Sequence, residues 1–174
     1  MRKAESMSNA KHILIAVDDA EASYQAVTYV GSLMRGGEGF RVCLLHALPP
    51  LPREFLEFGG SGDPQQEERE EMHLHTEQAR WSEAAAQAAE PVFTRAKQIL
   101  HEAHVPADAV ETQIVDTVNT QDIVLNILET AHARHCGTVV VGRQAHHGLK
   151  ALLTSHVSDA LMSQGEGLAI WVVA

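Results

Sequence analysis

Alternation is the feature that most restricts how this chain can fold. Five short apolar runs, at residues 13–17, 41–45, 109–115, 138–141 and 168–173, are separated by stretches in which apolar residues recur at helical spacing. The runs are rich in β-branched residues and bounded by turn or cap residues, so each reads as a strand. Several are apolar throughout, which suits strands covered by helices on both faces; residues 109–115 alternate more and read as a strand with one less buried face. Between them, Ala26, Val27, Val30, Leu33 and Met34 form one helical stripe in residues 20–34, and Val124, Ile127, Leu128 and Ala131 form another in residues 120–135. Asn119 and Asp122 have the spacing of a capping box at the start of that second helix. Residues 154–162 offer Val157, Ala160 and Leu161. Strand–helix alternation with right-handed crossovers predicts an α/β fold: a doubly wound, five-stranded parallel sheet with helices on both faces.

The second connection is less regular. Pro49-Pro50-Leu51-Pro52 breaks any element, Gly59-Gly60-Ser61-Gly62 is a flexible turn, and residues 67–71 are an acidic run that reads as a solvated helix face. An alanine-rich helix follows, and Pro91 is expected to divide or kink it. Val92, Ala96, Ile99 and Ala103 then resume a helical stripe. A chain of 174 residues suits one domain, here residues 11–174 with an extended insertion at about 50–75, preceded by a polar, disordered extension at 1–10.

Charge and composition narrow the partners. With 23 Asp and Glu against 13 Lys and Arg, the formal charge is −10, which argues against nucleic acid and against an anionic membrane surface. No run reaches the ~20 apolar residues that a membrane span requires, and no signal-peptide pattern opens the chain, so a cytoplasmic protein is expected. The two cysteines, Cys43 and Cys136, adjoin strand-like runs and read as reduced core thiols.

In a doubly wound sheet, ligands bind beyond the carboxyl ends of the strands, where the strand order reverses. There the sequence places Asp18-Asp19 after the first strand, His46-Ala47 after the second, Asp116-Thr117 after the third, and residues 142–158 after the fourth. This last segment leads from Gly142 through a loop to a helix N-terminus, an arrangement able to turn backbone N–H groups toward an anion. It is not a Walker A loop: five residues separate Gly142 from Gly148, and Lys150 does not directly follow the second glycine.

Taken together, Ile13-Leu14-Ile15-Ala16-Val17-Asp18, Leu44-Leu45-His46-Ala47, Val140-Val141-Gly142, Gly148-Leu149-Lys150 and Val157-Ser158 resemble the universal stress protein family, single-domain type, over about residues 11–174. The resemblance implies a Rossmann-like fold of the adenine nucleotide alpha hydrolase-like kind and a stress-response role. It also implies ATP or AMP as the ligand to consider, bound around Asp18, Ala47, Val141, Gly142, Gln144, Ala145, Ser155, His156, Val157 and Ser158. ATP-binding members carry Gly-x2-Gly-x9-Gly-Ser/Thr, whereas this chain has Gly142-x2-Ala145-x9-Ser155-His156. Non-glycine residues at positive φ cost about 1–2 kcal/mol, so Ala145 and Ser155 strain or reshape such a loop. The resemblance therefore leans toward a regulatory or interaction module with a degraded ATP loop, the alternative being a genuine ATP- or AMP-binding protein with slow hydrolysis.

Several individual residues admit two readings. Asp18 either accepts hydrogen bonds from adenine or ribose, as the resemblance implies, or caps the first helix. Arg143, His146, His147 and Lys150 form either a phosphate-binding rim or an exposed polar loop. The same histidines lack a carboxylate or thiolate at ligand spacing, so no metal is assigned. A receiver-domain reading of Asp18-Asp19 fails because no lysine follows the fifth strand. No nucleophile with an adjacent base is visible and no catalytic residue is assigned, so an enzyme is not expected. The last run, with Leu168, Ile170 and Val172, would leave a long apolar edge in a monomer. In the family this strand joins its twofold mate, so the resemblance implies a homodimer; a protein partner is expected but not identified.

Overall fold

A computed structural model describes residues 11–35, 37–52, 55, 62–117, 120–143 and 151–174, with the backbone alone for 120–121 and 151–156. The N-terminal extension at 1–10, the Asn119 cap and residues 144–150 lie outside the described residues. The strands are β1 (His12–Ala16), β2 (Arg41–Ala47), β3 (Val110–Val115), β4 (Thr138–Gly142) and β5 (Ala169–Val173). The helices are α1 (Glu21–Met34), α2 (Pro64–Glu102), α3 (Thr120–Ala133) and α4 (Ala151–Gln164). All strand pairs are parallel, in the order β3-β2-β1-β4-β5. The order reverses at β1, which pairs with β2 on one side and β4 on the other.

Alternate side chains of the central strands divide the core in two. On one face Ile13, Ile15, Val42, Leu44 and Val140 pack with Ala26, Val27 and Val30 of α1 and with Val92, Phe93, Ala96 and Leu100 of α2. On the other, Leu14, Cys43, Leu45, Val139 and Val141 meet Val124, Ile127, Leu128 and Ala131 of α3 and Leu161 of α4. The doubly wound sheet is therefore realised as expected, and Cys43 and Cys136 are buried free thiols.

Two helices depart from the sequence expectation. Leu33 is 49% exposed, because the α1 stripe that meets the sheet narrows to Ala26, Val27, Val30 and Met34. Pro91 does not divide α2, which runs unbroken for 39 residues. At ~1.5 Å per residue it is about 58 Å long. Its start is well made: the Asp63 side chain accepts the Gln65 N–H at 3.0 Å, and Pro64 occupies the first turn. Its buried residues begin only at Ala89, so the half that carries the acidic run is largely solvated, as expected. Beyond Pro91, Arg95 clamps α2 to α1, with its guanidinium 3.8 Å from the centre of the Tyr24 ring and 2.9 Å from Glu21 Oε2.

Candidate functional site

The reversal of strand order opens a cavity of about 340 Å³ beyond the carboxyl ends of β1, β2 and β4. Ala16, Val17, Asp18 and Asp19 line it from β1 and the turn after it, Leu45 and Ala47 from β2, and Val141 and Gly142 from β4. Ser23 of α1, Ile123 and Ile127 of α3, and Val157 and Ser158 of α4 complete the wall. Strands diverge at such a point because successive crossovers leave on opposite faces, so no helix fills the space above it.

Hydrogen bonds hold the rim. The Val17 N–H donates to the Leu45 carbonyl at 2.8 Å, continuing the ladder one residue past β1. His46 Nδ1 lies 2.8 Å from the Val17 carbonyl oxygen, and since a carbonyl only accepts, Nδ1 carries the proton. The imidazole also stands edge-on to Phe93, so the histidine near the end of β2 braces the rim from the α1–α2 side. At the mouth, Asp18 Oδ1 accepts the Ser23 hydroxyl and the Ala20 N–H, the latter at 3.0 Å. The N-cap of α1 is Ala20, which makes no side-chain cap bond, so Asp18 ties the turn ahead of the helix and is not its cap.

Gly142 has a role the sequence did not disclose. A Cβ there would stand 2.2 Å from the Ala22 carbonyl oxygen and 2.7 Å from the Ser23 nitrogen. Only glycine lets the first turn of α1 approach β4 this closely. Just beyond it, the Arg143 N–H donates to the Val173 carbonyl at 2.6 Å, which ties the first amide of the loop to β5. That amide is not available to an anion.

Of the residues singled out from sequence, the structure gathers Asp18, Ala47, Val141, Gly142, Val157 and Ser158 around the cavity. Arg143 is exposed at the end of β4. The backbone of Ser155 and His156 lies in the first half of α4, one turn or less before Val157 and Ser158, and their side chains are outside the description. Gln144, Ala145, His146, His147 and Lys150 lie outside the described residues. Sequence reasoning missed Ser23, Ile123 and Ile127 as wall residues. Ile127 was read as core, and it is, but midway along α3 and one turn past Ile123 it also lines the cavity. The periodicity of an apolar stripe carries no mark of where the stripe leaves the sheet.

The comparisons agree with this architecture. The sequence matches the Universal stress protein family over residues 9–166. No curated protein sequence matches the chain. Among solved structures, a protein of the universal stress protein family from Burkholderia pseudomallei superposes with a TM-score of 0.63 at 15% identity, covering 95% of this chain and 97% of that one. The hypothetical protein MJ0577 gives 0.61 at 19% identity, covering 95% and 96%. The universal stress protein from Archaeoglobus fulgidus in complex with dAMP gives 0.54 at 14% identity, covering 93% and 96%. At such identities these likenesses speak for the fold.

Proposed function

The chain belongs to the universal stress protein family, and on that premise we propose that it is a non-catalytic regulatory module that binds an adenine ligand in the cavity at the strand-order reversal. The observation that carries this reading is the cavity itself. It places Asp18, Ala47, Val141, Gly142 and Ser158 around one space of about 340 Å³, within the usual range for small-molecule sites. The sequence departures at Ala145 and at Ser155-His156, with the Arg143 amide held by Val173, favour weak retention of phosphates. Calorimetry with ATP, ADP and AMP at two pH values tests this. Millimolar or weaker ATP binding is expected; micromolar binding would favour a genuine ATP-binding protein with slow hydrolysis. That second reading draws on the structural neighbour solved with dAMP.

The module works as a homodimer in this proposal, and in the cytoplasm. β5 is hydrogen-bonded to β4 on one side and forms one end of the sheet. Apart from exposed Ala169 its residues are half-buried, and Tyr29 of α1, 46% exposed, stands edge-on to Trp171 beside it. Joining this edge to a second copy, through Ile170 and Val172 of β5 and Leu168 just before it, satisfies its free backbone groups. The long insertion leaves β2 and returns to β3, at the opposite end of the sheet. Sedimentation velocity at micromolar concentration should show twice the chain mass, and a monomer there would end the dimer proposal. Among the described residues no helix is long and apolar enough to cross a membrane.

A further inference from the structure

The two oxygens of the Asp18 carboxylate are used differently. Oδ1 accepts from the Ser23 hydroxyl and the Ala20 N–H, and the Asp18 N–H donates back to Ser23 Oγ at 3.2 Å. Among the described residues Oδ2 has no hydrogen-bond partner, while Asp18 lines the cavity. Ser23 is 6% exposed in the first turn of α1, and its N–H donates to the Ala20 carbonyl at 3.0 Å. The missing side chain of Gly142 lets Ser23 sit where it does. A hydroxyl carries one hydrogen, and that hydrogen is committed to Oδ1. Ser23 thus holds the carboxylate in one orientation and reserves Oδ2 as an acceptor.

The rest of the wall defines what suits that acceptor. Leu45, Ala47, Ile123, Ile127, Val141 and Val157 are apolar, and the charged side chains among the described wall residues are Asp18 and Asp19. Two carboxylates favour a ligand that donates hydrogen bonds and repel one that carries negative charge. The first amide past β4 is tied to β5. We infer that the cavity takes an uncharged nucleoside in preference to its phosphorylated forms, with Ser23 as the positioning residue that presents Asp18 to a ligand O–H or N–H. This rests on the reading of the cavity as an adenine site.

Calorimetry with adenosine, AMP and ATP, at low ionic strength and again at about 150 mM salt, tests the preference. Adenosine should bind about tenfold more tightly than AMP at low salt, with the gap narrowing as salt screens the carboxylates. The role of Ser23 is tested by comparing adenosine with 2′,3′-dideoxyadenosine and with N6,N6-dimethyladenosine. The native protein should discriminate against at least one of these donor-poor analogues. Ser23→Ala should weaken adenosine about tenfold and erase that discrimination, whereas Ser23→Thr should restore both. A merely structural serine would change the melting temperature and leave the discrimination unaltered. AMP or ATP binding more tightly than adenosine overturns the preference and leaves the adenine site standing. Discrimination that survives Ser23→Ala overturns the positioning role. Failure of all three compounds to bind at millimolar concentration overturns the adenine site and this inference together.

Discussion

Gly142 shows how much a single missing side chain can decide. Alanine there would drive a methyl group into backbone atoms of Ala22 and Ser23, which have no flexible end to move aside. Gly142→Ala should therefore destabilise the fold by about 1–3 kcal/mol, the usual cost of overpacking, and shift the urea midpoint accordingly. The sequence marked this glycine for a different reason, as the survivor of a phosphate loop. His12 makes a second residue-scale case. Among the described residues its Nε2 is buried without a hydrogen-bond partner, and it lies 3.9 Å from Glu111 Oε1. Burial lowers its pKa below 6.5; Glu111 opposes this, while Arg41, His135 and Arg134 add to it. With the folded pKa depressed, the unfolded chain binds more protons as pH falls below 6.5, so acid removes stability. Urea titrations across that range should show the slope, and His12→Gln should flatten it.

At the scale of elements, the strands were the most legible in the sequence and α2 the least. A short apolar run between turn residues has few alternatives, and each of the five strands lies within two residues of its expected ends. Proline inside a helix is a weaker signal: Pro91 removes one donor, yet α2 continues through it. Just past it, Val92, Phe93, Ala96 and Leu100 are held by the sheet, and tertiary packing outweighs the local cost. The first half of α2 has no such support. Amides of residues 65–85 should exchange with solvent far faster than those of residues 92–100, which hydrogen-exchange mass spectrometry would resolve. Where α2 meets α1, Arg95→Ala should cost about 1 kcal/mol, because the Tyr24 ring and Glu21 lose one shared partner. Arg80, paired with Glu77 on the same helix, should cost less when truncated.

The molecule as a whole protects its thiols. Burial pushes Cys43 up to about 11 and Cys136 up to about 12, and both stand in the core beneath α3. Neither is a thiolate at neutral pH, and neither is open to reagent in the folded state. Alkylation should proceed at the rate of unfolding, rise with urea, and modify the two together; fast labelling of either in native buffer would contradict this.

By itself the sequence determined the layers of this protein: short runs that can bury only as strands, amphipathic helices between them, and acidic residues concentrated on one solvated stretch. It also marked Asp18, Ala47, Val141, Gly142, Val157 and Ser158, because they follow strands or match family motifs. Only the tertiary structure decided what those residues do to one another. The bond from Ser23 to Asp18, the approach of α1 to Gly142, the tie between Arg143 and Val173, and the entry of Ile123 and Ile127 into the wall join different elements or depend on how one turn folds. Periodicity specifies which face of an element is buried, not which atoms of another element will stand a few ångströms away. That is set by strand order and helix approach, which depend on packing across the whole sheet.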